Sequence, residues 1–172
     1  MVRIFLFYAM AKIIAIGGVS RSGKSTLAQW LHQQLPGSVM LCQDDFPNDE
    51  DSIPMVRDRT DWEHPDSIHW GNWKRAIDNF QDCEYLILEG LFIFRPEAAL
   101  TPHLAIYLET DQDSFTRARK QETRWGHEPD WYIDYVWQNH FKYGLPSGDL
   151  KALKYHQLSE KNYPEILSKV KA

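Results

Sequence analysis

Gly18, Gly23, Lys24 and Ser25 stand at the spacing Gly-x-x-x-x-Gly-Lys-Ser/Thr, which cradles phosphates in a backbone loop. In that arrangement the lysine reaches the β/γ-phosphates and the hydroxyl after it ligates Mg²⁺. The surroundings suit the motif. Residues 12–17 read as a short buried strand before the loop, and 24–35 as a helix after it, with apolar residues at 27, 28, 31 and 35. A strand, a glycine loop and a helix N-terminus aim backbone N–H groups and a helix dipole at polyphosphate. We therefore expect a nucleoside triphosphate, held through Gly18, Ser20, Ser22, Gly23, Lys24, Ser25 and Thr26.

Further acids fall where a phosphate site could use them. Gln43-Asp44-Asp45-Phe46 follows a strand candidate at 38–42, and Glu89-Gly90 ends another at 84–89. Asp44 or Asp45 could supply a base for a hydroxyl nucleophile or help hold Mg²⁺; alternation along an extended segment lets only one face the phosphates. Glu89 has the form of a strand-end acid that orients Mg²⁺, and Gly90 would let the backbone pass close to a nucleotide. Arg117, Lys120 and Arg124 share a helical face, and the turn-rich stretch 125–130 follows them. Together 117–130 read as a lid whose cations neutralise transition-state charge and exclude water. Trp62, Trp125 and Trp131 lie in polar, loop-like segments, where an aromatic face can stack on a flat, cationic ring.

These groups need a scaffold that gathers strand ends. The strand candidates are 12–17, 38–42, 84–89, 104–109 and 154–158; helix candidates at 24–35, 67–80, 111–123, 131–142 and 161–171 alternate with them. Trp70, Trp73, Ile77 and Phe80, and likewise Tyr163, Ile166, Leu167 and Val170, recur at helical spacing and should be core. The alternation predicts a parallel sheet covered on both faces, with ligands at the carboxyl ends of its strands. A length of 172 residues suggests one domain, taken as residues 10–172, with 1–9 as an extension rather than a leader. The net charge of −5 argues against a nucleic-acid partner, and the apolar run near the start is too short to span a membrane. Cys42 and Cys83 show no metal-type spacing and read as small buried residues of a cytoplasmic protein. No Asn-Lys-x-Asp guanine motif occurs, which counts against a GTP-dependent switch.

The combination of the loop at 17–26, Gln-Asp-Asp-Phe at 43–46, Asp-Trp-Glu-His-Pro-Asp-Ser at 61–67, Leu-Ile-Leu-Glu-Gly at 86–90 and the segment 128–137 after the basic cluster resembles the uridine-kinase-like group of P-loop kinases. Within that group it most resembles nicotinamide riboside kinases, over residues 12 to 143. The resemblance implies an α/β three-layer sandwich of the nucleoside-monophosphate-kinase type, a five-stranded parallel sheet with a lid. It implies transfer of the γ-phosphoryl of ATP, with Mg²⁺, to the 5′-hydroxyl of nicotinamide riboside, by a monomer or homodimer. Asp44 matches the base and metal-associated acid, with Asp45 beside it. Trp62 and Glu63 match an aromatic–acid pair that stacks on the base and binds ribose hydroxyls. Arg119 and Arg124 fall near the phosphate-holding lid arginines, with Lys120 a rival to Arg119. The second stacking aromatic is Trp125 or Tyr132. Glu63 departs from the group's more usual Asp, and the adenine contacts are unassigned. Another nucleoside or small-metabolite kinase, such as a uridine or cytidine kinase, is the alternative reading, followed by a non-catalytic nucleotide sensor.

Overall fold

A computed structural model describes residues 10–123 and 126–172. Strands β1 (Lys12–Gly18), β2 (Ser38–Cys42), β5 (Tyr85–Glu89), β6 (Leu104–Glu109) and β7 (Ala152–His156) form one sheet in the order β2-β5-β1-β6-β7. Every pairing in it is parallel. A parallel sheet needs helical crossovers; among the described helices α1 (Lys24–Gln34), α2 (Trp70–Asn79), α3 (Gln112–Gln121), α4 (Asp130–Tyr143) and α5 (Tyr163–Lys171) supply them.

Both faces of the three central strands β1, β5 and β6 are dry, which explains their near-continuous apolar runs. Ile14, Ile16, Ile87, Ile106 and Leu108 pack against Leu27, Leu31, Ile166 and Val170 of α1 and α5. Ala15, Leu86 and Leu88 face the other way, onto Trp73, Ile77, Phe92 and Ile93. A third cluster, Val19 with Phe115, Tyr132, Ile133 and Val136, ties the phosphate loop to α3 and α4. The expected fold, a five-stranded parallel sheet sandwiched by helices, is the one found.

The departures are local. The last strand lies two residues earlier than expected, at Ala152–His156. The start of the second expected helix is instead a 3₁₀ turn, Pro65–Ser67, and α2 begins at Trp70, capped by His69 Nδ1 accepting from Asn72 N at 3.2 Å. A small antiparallel hairpin, β3 (Met55–Val56) with β4 (Arg59–Thr60), was not expected at all.

The order β2-β5-β1-β6-β7 puts β1 at the centre, with its first crossover running to one side and β6 on the other. That is a topological switch point, and the crevice opens beyond the carboxyl end of β1.

Candidate active site

The crevice is a cleft of about 1100 Å³. Its floor is the phosphate loop. Gly23 caps α1 in the left-handed region at φ 94°, and Arg21 before it takes φ 67°. Gly18 sits at φ 150°, and a Cβ there would lie 2.5 Å from Leu108 O, so only glycine lets β1 turn this tightly against β6. Ser20, Gly23, Lys24, Ser25 and Thr26 line the cleft. Gly18 and Ser22 are not on its lining; the Ser22 hydroxyl is buried without a hydrogen-bond partner among the described residues.

Lys24 is buried at the head of α1 and donates from Nζ to Val19 O at 3.2 Å. Ser25 Oγ donates to Glu89 Oε1 at 2.9 Å, and Glu89 is only 2% exposed at the end of β5. The strand-end acid and the loop hydroxyl, 64 residues apart in sequence, are thus joined directly. Gly90 has a packing role besides the one expected. A Cβ on it would meet Gln43 Oε1 at 2.0 Å, and that oxygen accepts from Phe92 N at 2.9 Å. Gly90 makes room for the fully buried Gln43, which anchors the start of the Gln-Asp-Asp-Phe turn.

That turn is a 3₁₀ helix, Gln43–Asp45, rather than extended chain. Strand alternation therefore does not decide which acid faces the phosphates; the turn does. Asp44 lines the cleft, and Asp45 does not. Asp45, expected beside Asp44 at the substrate, follows it in the 3₁₀ turn and lies off the cleft lining. Asp44 is exposed to the open cleft, yet the protein packed around it displaces part of its hydration and pushes its carboxyl above the usual range; Lys24 opposes the shift, while Glu89 and Asp45 add to it.

Trp62, Glu63 and Tyr132 line the same cleft. Trp62 is 44% exposed, unusual for so large a ring. Tyr132 is 6% exposed, stacked on Tyr135 at 6.1 Å, with the Arg59 guanidinium 5.4 Å from its ring. Glu63 loses most of its hydration, which lifts its carboxyl to about 7 against the pull of the Arg119 guanidinium 3.8 Å away.

Arg119 and Lys120 are placed differently. Arg119 holds Glu128 through two bonds, at 2.9 and 2.6 Å, and Ser20 Oγ at 3.0 Å, so it spans the lid segment and the phosphate loop. Lys120 pairs with Asp130 at 2.9 Å outside the cleft lining, and Arg117 bonds Ser114. The face shared by residues 117 and 120 is therefore not the one over the cleft. Arg21 and Glu122 form a second ion pair, between the loop and the C-cap of α3. Arg124 and Trp125 lie outside the described residues.

The sequence reading missed a set of residues behind Glu63. Asp61 Oδ1 accepts from Glu63 N at 3.2 Å, its other oxygen accepts from Tyr135 OH, and Asn139 Nδ2 donates to Glu63 O at 2.8 Å. The signal was faint: a helical spacing of Tyr132, Tyr135 and Asn139 on α4. His140, also missed, accepts or donates at Nε2 to Tyr107 OH at 2.8 Å; burial, helped by Lys24, depresses its pKa to about 4.

The donor set suits magnesium. Ser25, Glu89 and Asp44 offer hard oxygens around one strand-end corner, and Mg²⁺ characteristically takes one or two carboxylates, with phosphate and water completing its shell. Among the described residues no group of three or more His, Cys, Asp or Glu stands ready to hold a metal alone.

The raised Glu63 carboxyl makes a prediction about stability. Its folded value exceeds the ordinary 4.5, so the fold favours the protonated form. The stability this contributes is complete below that ordinary value and is lost as pH rises through about 7. The loss should amount to at most about 3 kcal/mol. Glu63→Gln should abolish it: in urea titrations across that window, the stability gap between variant and wild type should widen as pH rises. A gap that stays constant would contradict the raised value.

No family model matches the chain. It is 34% identical over 92 residues to a nicotinamide riboside kinase of Schizosaccharomyces pombe, covering 54% of the chain but 34% of that protein. It is 28% identical over 157 residues to nicotinamide riboside kinase 2 of Mus musculus, covering 78% and 80%. A uridine kinase of Ligilactobacillus salivarius is 26% identical over 130 residues, covering 59% and 61%. The match thus spans about a third of the first fungal relatives' length. Among solved structures, a sugar kinase of Janibacter superposes with a TM-score of 0.64 at 16% identity over 94% of the chain and 95% of that structure. The fold is accordingly that of the P-loop kinases, and the sequence is similar, at low identity, to nicotinamide riboside and uridine kinases, as the motifs suggested.

Proposed function

We propose that this chain is an ATP-dependent small-molecule kinase that phosphorylates the 5′-hydroxyl of nicotinamide riboside, giving nicotinamide mononucleotide, with residues 10–172 acting as one kinase unit and 117–130 as its lid. The observation that carries the acceptor assignment is Trp62, a solvent-facing ring next to the Glu63 carboxyl, in the cleft that also holds Lys24 and Asp44. A neutral pyrimidine needs hydrogen-bond partners on its edge. A cationic nicotinamide ring needs an aromatic face and negative charge nearby, and Glu50, Asp58 and Glu63 join Trp62 on the lining.

In this reading the phosphate loop and Lys24 hold the triphosphate. Asp44 accepts the proton of the acceptor hydroxyl as its oxygen bonds to the γ-phosphorus and the bond to the departing ADP breaks. Mg²⁺, held through Ser25, Glu89 and Asp44, would neutralise charge on the phosphate oxygens. Arg119 exchanges Glu128 for phosphate and closes the lid end of the cleft.

The test is a panel of nicotinamide riboside, uridine and cytidine assayed side by side for ADP release with Mg·ATP. Nicotinamide riboside should have the highest kcat/KM. A preference for uridine or cytidine would favour the pyrimidine alternative, and no ADP release with any acceptor would favour a nucleotide sensor. Trp62→Ala should lower kcat/KM for the riboside about tenfold or more while changing the KM for ATP less than about threefold. Equal losses for both substrates would refute the stacking role.

A further inference from the structure

We propose that Asp61, Tyr135 and Asn139 form a brace that positions the Trp62–Glu63 turn against the helix that follows the lid, and so sets affinity for the acceptor and not for ATP. The inference rests on the reading of that turn as the acceptor site.

The turn is closed by backbone bonds from Asp61 N to Pro54 O, Trp62 N to Thr60 O and His64 N to Asp61 O, none of which ties it to α4. It lies between the two-residue strand β4 and the 3₁₀ turn Pro65–Ser67, so its position against α4 depends on side chains brought to it. Asp61, 3% exposed, grips it from within: one oxygen takes the Glu63 amide at 3.2 Å and the other takes the Tyr135 hydroxyl. Asn139, 7% exposed, grips it from outside, donating to Glu63 O at 2.8 Å and to Tyr135 OH at 3.2 Å. Both backbone polar groups of Glu63 are thereby fixed by residues that are not on the cleft lining. Tyr135 OH is the hub, donating to the acid and accepting from the amide.

The brace ends on the lid side. Tyr135 and Asn139 are one helical turn apart on α4, and Tyr132, on the same face, lines the cleft itself. Helix α4 begins at Asp130, directly after the segment carrying Glu128, the partner of Arg119. A displacement of α4 would therefore carry Glu63, and through it Trp62, with it. None of the three brace residues lines the cleft, so their effect on the acceptor runs through the turn.

The experiment uses Tyr135→Phe, which deletes only the hub hydroxyl, and Asn139→Ala as a second variant. Two readouts are taken: steady-state kinetics for each substrate, and hydrogen exchange of the Glu63 amide. Tyr135→Phe should raise the acceptor KM about tenfold and leave the ATP KM unchanged, with the Glu63 amide exchanging about tenfold faster. Asn139→Ala should do the same, and the double variant should be no worse than the worse single. An unchanged acceptor KM with wild-type exchange, or equal increases in both KM values, would overturn the brace. If the wild type phosphorylates no nucleoside, the acceptor reading fails, and the exchange rate alone then decides whether the brace holds the turn.

Discussion

Asp44→Ala is expected to lower turnover at least about 100-fold while leaving ATP affinity nearly intact. The geometry separates the two effects. Asp44 is presented on the 3₁₀ turn after β2, in the same cleft as the phosphate loop but not part of the loop whose glycines and helix N-terminus would grip polyphosphate. Its carboxyl is held above the ordinary carboxylate range by lost hydration, against Lys24, and a base of raised pKa is a better proton acceptor once ionised. The sign follows: activity should rise with pH as Asp44 ionises. Asp44→Asn, which keeps size and removes basicity, should match the alanine variant in kcat. Near-normal turnover in both would remove Asp44 from the role of base, and a parallel collapse of ATP binding would make it a phosphate-site residue instead.

What was legible in the sequence follows from the range of the interactions involved. The phosphate loop and the five parallel strands could be read because both are local: glycine geometry in one case, and in the other runs such as Lys12–Gly18 that are apolar on both faces. The hairpin of Met55–Val56 with Arg59–Thr60 could not be read, because two-residue strands bearing arginine carry no periodic signal. The choice between Asp44 and Asp45 was open for a related reason. Alternation presumes extended chain, whereas Gln43, pinned to Phe92 N across 49 residues, wraps the segment into a turn. The different placing of Arg119 and Lys120 depended on where Glu128 and Ser20 sit, 9 and 99 residues from Arg119. The contacts behind Glu63 are of the same kind, joining Asp61 to Tyr135 over 74 residues, and no single segment of the sequence betrays them.

Lys24→Met should cost about 1000-fold in kcat/KM for ATP, and its side effects identify the cause. Lys24 is the buried cation at the head of the phosphate loop, its ammonium resting on Val19 O, where a bound β/γ-phosphate would find it. Methionine keeps the length and the buried stem, so the fold should survive, as circular dichroism can verify. The charge, however, acts on three neighbours. It lowers Asp44 and Glu63, and it disfavours protonation of His140. Removing it should lift all three. The acid limb of the residual activity should therefore move to higher pH than in wild type, because Asp44 loses the cation that held it down. Lys24→Arg supplies the control: it restores charge and should return the limb towards wild type, while the bulkier guanidinium still lowers turnover. Activity within about tenfold of wild type in Lys24→Met would show that the loop holds triphosphate through its backbone alone. An unmoved acid limb would instead separate Asp44 from Lys24 electrostatically, and with it the coupling of donor and acceptor ends of the cleft.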